Sequence, residues 1–512
     1  VQPLTRISPA IELCAVDKSF GGVHAVRAVS LRIAKGAITG IVGENGAGKS
    51  TLMSIVYGLF QADGGDILID GKEVRIASPC DAIAHGIGMV HQHFMLVETF
   101  TVLENLVLGA EGGPLLAKGL AAARAELARL ARDYGLAIDP DALVADLSVG
   151  EQQRVEILKV LFRGARILIL DEPSAVLTPQ ETDQLFRILR ALTAEGVAVV
   201  LITHKLREVM AATDTVYVMR QGELVAERRT ADTNPEELAE LMVGRKVLLS
   251  LDKEAPQRGE VRLRAEGLSL IDGQGVALLD GIDLELRAGE IVGIAGVSGN
   301  GQSELLQVLA GIRKLTGGRL TVCGRVLDVD RPVDPAEMRA LGVAHVPEDR
   351  RRQGMVGAFR ASETAILGYQ AEPPFSRNHL LDLPAAFSHC ADLMARFDVR
   401  PRAPGLPSAH FSGGNQQKLI LAREMARKPK VLLVGQPTRG VDIGAIEFIH
   451  RQLVQARDEG CAVLVVSAEL DEILALADRI LVMFEGRIAG EVEAGRAQER
   501  SLGLLMAGAT LS

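Results

Sequence analysis

The chain contains one pattern twice, and that duplication limits its possible folds more than any other feature. Val29–Ser50 (VSLRIAKGAITGIVGENGAGKS) and Ile282–Ser303 (IDLELRAGEIVGIAGVSGNGQS) open alike. Each runs from a period-2 strand through a glycine turn to an apolar strand and a glycine-rich loop. Further on, Leu147–Gln153 (LSVGEQQ) is answered by Phe411–Gln417 (FSGGNQQ). The spacings agree: Ser148 to Asp171 and Ser412 to Gly435 are both 23 positions, and Asp171 to His204 and Gly435 to Ala468 are both 33. Two independent spacings that match predict a duplicated domain, and 512 residues are too many for one core. The polar, Pro- and Gly-containing stretch Leu249–Glu260 suits a linker. It places the halves at 9–246 and 260–508, with 247–259 between them.

Within each half, apolar runs such as Ile167–Leu170 and Val199–Ile202 alternate with helical segments, the pattern of an α/β fold with a mostly parallel sheet and crossover helices. The run between Pro114 and Gly135 is strongly helical and studded with Arg and Glu. It reads as a helical subdomain inserted in the core, with a membrane-surface helix as the alternative. No window holds the 18 or more apolar residues of a spanning helix, and Val1–Ala10 has no signal-peptide core. Any link to a membrane is therefore expected to run through a partner. A net charge of −9 argues against a nucleic-acid partner. The five cysteines show no C-x-x-C pair or metal-ligand spacing, which reads as free thiols in a reducing cytosol.

Gly43–Ser50 (GENGAGKS) matches G-x-x-x-x-G-K-[ST] in full, after the apolar Ile38–Val42 and before a helical run over Leu52–Tyr57. Such a loop lets backbone N–H groups curl around phosphates at a helix N-terminus. Gly43, Glu44, Asn45, Gly46, Ala47, Gly48, Lys49, Ser50 and Thr51 are thus the expected nucleotide-binding run. Lys49 should reach the β- and γ-phosphates, and Ser50 should ligate Mg²⁺. Ile167–Pro173 (ILILDEP) is a buried strand ending in two carboxylates, Asp171 for the Mg²⁺ shell and Glu172 as general base for the attacking water. His91 and His93 form an H-x-H pair, but no third metal ligand is evident.

In order and spacing, the loop, LSVGEQQ and ILILDEP resemble the nucleotide-binding domain of ABC transporters, over nearly the whole chain. The resemblance implies two tandem P-loop ATPase domains, each a mostly parallel core with an antiparallel β part and a helical insertion. It further implies that Gln92 ligates Mg²⁺ and senses a membrane subunit, and that His204 contacts the γ-phosphate. Phe20, 29 positions before Lys49, would stack on adenine, although an ordinary core aromatic is the alternative. Members of this family hold ATP between the loop of one domain and the signature of the other. One set is then complete: Lys49, Ser50, Gln92, Asp171, Glu172 and His204, with Ser412, Gly413, Gly414, Asn415, Gln416 and the D-loop Asp442. The other is depleted. It has Gln302 for lysine, Glu348 for the Q-loop glutamine, Gly435 and Gln436 for the acids, Ala468 for histidine, and Val149 and Thr178 for a signature glycine and a D-loop aspartate. ATP and Mg²⁺ are the implied cofactors, and hydrolysis is expected at the complete set alone.

Val346–Arg350 (VPEDR), Ser412–Lys418 (SGGNQQK) and Pro437–Ala445 (PTRGVDIGA) resemble the importer ATPases for ribose-type sugars and nucleosides. Met89–Gly109 (MVHQHFMLVETFTVLENLVLG), Ala175–Glu181 (AVLTPQE) and GQPTRG lean toward the nucleoside branch. The implied partners are two membrane permease subunits and an extracytoplasmic substrate-binding protein, with this chain peripheral on the cytoplasmic face of the membrane. Tandem domains also occur in soluble ABC proteins of translation or repair. Those usually keep two intact sites, a long charged linker and basic surface, whereas this chain has a short linker, a depleted second site and an acidic balance.

Overall fold

Four strands of the first half carry apolar residues on both faces of the pleat, which a strand tolerates only when both its faces are covered. Ile38–Val42, Ala198–Ile202, Ile167–Asp171 and Ile87–Val90 are such strands, buried along almost their whole length. This computed structural model describes residues 9–91, 94–109, 116–174, 177, 179–246, 253–297, 299–377, 380–506 and 508. They form two units, Val1–Val247 and Leu248–Ser512.

In the first unit a six-stranded sheet runs Glu223–Arg229, Thr215–Arg220, Ile38–Val42, Ala198–Ile202, Ile167–Asp171, Ile87–Val90. All pairings are parallel except the Glu223–Arg229 edge. The pleat sorts side chains by parity. Ile41, Ile167, Ile169, Val200 and Ile202 join the cluster under a four-stranded antiparallel sheet that contains Pro9–Phe20 and Val23–Ala34. Ile38, Leu168, Leu170, Val199 and Leu201 join the cluster among the helices on the other side.

The helix Leu116–Tyr134 settles the choice left open by its sequence. Leu127 and Leu130 pack with Val102, Leu106 and Val155, while Ala123 packs with Leu103 and Val107. Its charges turn outward into ion pairs, Arg124 with Asp141 and Arg129 with Glu126 and Asp133. The apolar stripe is already covered by protein, so this is the inserted helical subdomain. Among the described residues no helix is long and apolar enough to cross a membrane.

The second unit repeats the architecture. Its six-stranded sheet runs Val343–Val346, Val431–Gly435, Ala462–Ser467, Glu290–Ala295, Arg479–Phe484, Arg487–Glu493, beside an antiparallel sheet holding Val261–Ile271 and Ala277–Arg287. From Lys253 onward the polar stretch between the halves lies against this unit. Lys253 Nζ donates to the carbonyls of Leu476 (3.0 Å) and Ala477 (2.5 Å), and Arg457 donates to the carbonyl of Glu254 at 3.1 Å. Arg457 is buried and paired with Asp478 at 2.9 Å, and a buried pair needs such further partners.

Leu201, fully buried in the central sheet, gives a direct test of that core. Leu201→Ala should lower the unfolding free energy of the first unit by about 2–5 kcal/mol, read as an earlier transition in chemical denaturation.

Candidate functional site

Parallel strands place their carboxyl ends along one edge, where α/β proteins carry ligand chemistry. In the first unit Ile38–Val42, Ala198–Ile202 and Ile167–Asp171 are neighbours, so the loop after Val42, His204 and the Asp171–Glu172 pair emerge together. Glu172 N–H donates to the carbonyl of Ile202 at 2.9 Å, and Thr203 N–H to that of Ile41 at 3.3 Å. Glu172 takes a left-handed backbone conformation (φ 48°), a strained position for a residue with a side chain.

The loop winds into the helix Lys49–Val56. Gly48, its N-cap, has φ 97°, and a Cβ there would overlap the carbonyl oxygen of Ala25. Glycine is required on both counts. Lys49 is 6% exposed and donates to the carbonyls of Gly43 (2.7 Å) and Glu44 (3.0 Å). Burial pushes its pKa down, opposed by Glu172, Asp171 and Glu44. Ser50 Oγ donates to Asp171 Oδ1 at 3.3 Å. Burial raises the pKa of Asp171, against the hydrogen bond from Ser50. This hydroxyl and carboxylate form an oxygen-only donor pair of the kind Mg²⁺ prefers. The glycine-rich turn would present its N–H groups to phosphate, so the residues present fit Mg²⁺ and a nucleotide.

His204 Nδ1 lies 2.8 Å from Glu172 Oε1. Burial works to raise the pKa of Glu172, but the hydrogen bond and charge of His204, with Lys49, outweigh it and hold the carboxyl below its usual range. Glu172 is therefore ionised at neutral pH, as a general base must be. Phe20 ends its strand 41% exposed, edge-on to Phe60 with ring centroids 5.0 Å apart, and Lys18 Nζ lies 5.4 Å from its ring. An exposed aromatic here is free to stack on a ligand, so the ordinary-core alternative falls away. Gln92 and His93 lie outside the described residues, as does Thr178. His91 packs edge-on against Tyr57, and among the described residues no group of three His, Cys, Asp or Glu could hold a metal.

Sequence reasoning missed a clamp behind these groups. Glu208 is 5% exposed, accepts a hydrogen bond from Ser174 Oγ, and accepts another from Thr203 Oγ1 at 2.9 Å. It joins the segment after Glu172 to the residue before His204. Burial raises its pKa. Gln153, in the LSVGEQQ run, donates to the carbonyl of Pro173 at 2.8 Å and so ties that helix to the same segment. The signal was available in part, since Glu208 stands four residues after His204. Nothing in its spacing says that it turns inward.

The second unit keeps the backbone and changes the chemistry. Gly299 and Gly301 have φ 96° and 98°, matching Gly46 (85°) and Gly48 (97°). Gln302 Nε2 donates to the carbonyl of Val297 at 3.0 Å, much as Lys49 does to Glu44. Gln436 retains φ 48° and the backbone bond to Val466 (2.7 Å), but its side-chain oxygen accepts from the N–H of Ala468 at 3.2 Å. An amide so engaged accepts no proton from water.

The two serine-led helix N-termini also differ. Ser148 Oγ donates to Glu151 Oε2 at 2.8 Å in a capping box, which commits its proton and sets a carboxylate where an anion would bind. Ser412 Oγ instead accepts from Asn415 Nδ2 at 2.8 Å and caps nothing. Its own proton remains available, and the neighbouring group is neutral. Gly413 stands beside Arg350, whose guanidinium donates to the carbonyl of Arg439 at 2.6 Å, and Gly414 stands beside Asp442, the N-cap of Ile443–Asp458.

A sequence profile of the ABC transporter family matches residues 26–175 and 279–439, both of the loops and sheets just described. The chain belongs to the ABC transporter family. It is an ATP-hydrolysing subunit of that family. It is 46% identical to the nucleoside import ATP-binding protein of Lactococcus lactis, over 98% of this chain and 99% of that one. It is 45% identical to the guanosine import ATP-binding protein of Bacillus subtilis (98% of each) and 45% identical to the glucose import ATP-binding protein of Haloferax volcanii (99% of this chain, 96% of that one). A solved archaeal ribosome recycling factor in complex with a stalk protein overlays with TM-score 0.61 at 19% identity, covering 92% of this chain and 89% of that one. At that identity the likeness is one of fold alone.

Glu208 should act by positioning. Glu208→Ala is expected to lower kcat for ATP at least tenfold with little change in KM, because the His204–Glu172 alignment loosens while the phosphate loop stays. Steady-state kinetics would show the split.

Proposed function

We propose that this subunit powers the uptake of nucleosides, hydrolysing ATP with the acid pair, histidine and phosphate loop that the first half keeps and the second half has lost. The carrying observation is the contrast at equivalent strand tips: the Glu172 carboxyl 2.8 Å from His204 in one half, the Gln436 amide held by the N–H of Ala468 in the other. Lys49 and the Gly43–Ser50 loop bind and orient the triphosphate, Ser50, Asp171 and Gln92 would hold Mg²⁺, and Phe20 stacks on the base. Glu172 takes the proton of the attacking water. Mg²⁺, when bound, offsets phosphate charge. In the second half Ser412, Gly413, Gly414, Asn415, Gln416 and Asp442 are read as phosphate ligands, supported by the available Ser412 hydroxyl and the committed Ser148 one.

The cargo reading rests on the nucleoside and guanosine import relatives together with the GQPTRG departure in the second half. Simple sugars are the second reading, supported by the glucose import relative at 45% and a ribose import relative at 39%. Two permease subunits and an extracytoplasmic binding protein complete the assembly, with this chain on the cytoplasmic face. A cavity of about 340 Å³ in the first half is lined by residues that include Tyr57, His91, Met95, Leu108, Lys159 and Arg163. Met95 is 65% exposed. This hollow, with Lys159 paired to Glu156 at 2.8 Å on its wall, suits a short helix of a permease.

With permeases reconstituted, Glu172→Gln should lower ATP turnover by ~10²–10⁴-fold and Gln436→Glu should change it little. Retention of more than about a tenth of the wild-type rate by Glu172→Gln would overturn the general-base role. Uptake of labelled guanosine, ribose and glucose into proteoliposomes separates the cargo readings. Met95→Asp should lower transport-coupled turnover while leaving nucleotide binding to the subunit intact.

A further inference from the structure

The depleted half has lost its strand-end aspartate, yet a carboxylate still stands beside its loop serine. In the first half the pair is Ser50 and Asp171, with Asp171 at the tip of its own strand. In the second half the equivalent strand, Val431–Gly435, ends in glycine. The place of the missing side chain is filled from the adjacent strand. Val343–Val346 pairs in parallel with Val431–Gly435, with Val346 beside Val434, and the chain two residues on presents Glu348. A Cβ on Gly435 would overlap Glu348 Cγ and come within 2.9 Å of Leu306 Cδ1. The Glu348 carboxylate accepts a hydrogen bond from Ser303 Oγ.

We infer that the second half keeps a divalent-cation site for a bound nucleotide, formed by Ser303 and a carboxylate moved from the strand tip to Glu348. This rests on the reading of the chain as an ATP-binding protein. Gly435 is then the substitution that makes room for Glu348, and the two changes compensate each other. The loop backbone is preserved at Gly299 and Gly301, so phosphate N–H donors remain. Gln302 brings no charge, so the cation must offset both Glu348 and the phosphates. Nucleotide binding here depends on the metal more strictly than in the first half, where Lys49 contributes. With Gln436 and Ala468 in place of base and histidine, the nucleotide stays unhydrolysed.

The test counts Mn²⁺ bound in the presence of ATP by electron paramagnetic resonance, on the full chain carrying Glu172→Gln to prevent turnover. Two Mn²⁺ per chain are expected. Adding Glu348→Gln should weaken one of them at least tenfold, and Asp171→Asn should weaken the other. Glu348→Ala with Gly435→Asp, which returns the carboxylate to the strand, should restore the second Mn²⁺ and show that its loss is not misfolding. One Mn²⁺ per chain, removed by Asp171→Asn and indifferent to Glu348→Gln, overturns the inference and leaves the first-half site standing. No ATP-dependent Mn²⁺ at all would overturn both.

Discussion

The parallel pairing of Ile38–Val42 with Ala198–Ile202, and of that strand with Ile167–Asp171, is the constraint from which the site follows. Each strand contributes one chemical group at its carboxyl end: a phosphate loop, a histidine, or an acid pair. Because the three strands are neighbours, groups more than a hundred residues apart in the chain come within hydrogen-bond reach. Ser50 and Asp171 are 121 positions apart and still share a hydrogen bond. The pleat does the remaining work, sending alternate residues to the cluster under the antiparallel sheet and to the cluster among the helices.

That scaffold is insensitive to the chemistry it carries. Glu172 and Gln436 share a strained backbone conformation and the same bond to the neighbouring strand, although only one of them can act as a base. Strain of this kind costs on the order of 1–3 kcal/mol. It persists in the second half because the strand-end turn is set by sheet geometry and not by the side chain. At these loops and strand tips the divergence of the halves lies in side chains: Lys49 against Gln302, Asp171 against Gly435, His204 against Ala468.

Electrostatics then separates the halves more sharply than a count of lost residues suggests. In the first half, opposing effects leave Glu172 ionised: burial favours the neutral acid, and His204 and Lys49 outweigh it. At the helix N-termini the difference is one proton. Glu151 accepts the hydroxyl hydrogen bond of Ser148, whereas Asn415 donates to Ser412 and leaves that hydroxyl free to donate. A carboxylate at a helix N-terminus already uses the favourable end of the dipole, so a phosphate arriving there meets like charge.

By itself the sequence determined the duplication, the α/β class, the phosphate loop and the acid pair. These are local: a loop of fixed spacing between an apolar strand and a helix carries its own geometry, and the matching 23- and 33-position offsets carry the repeat. Only the tertiary structure decided that Leu116–Tyr134 is covered by its own domain, because a helical stripe looks the same whether protein or lipid covers it. Only it revealed Glu208 as the clamp between the Glu172 and His204 segments, and Glu348 as the occupant of the space over Gly435. Both depend on which strands become neighbours, and a strand's partner is written nowhere in its own residues.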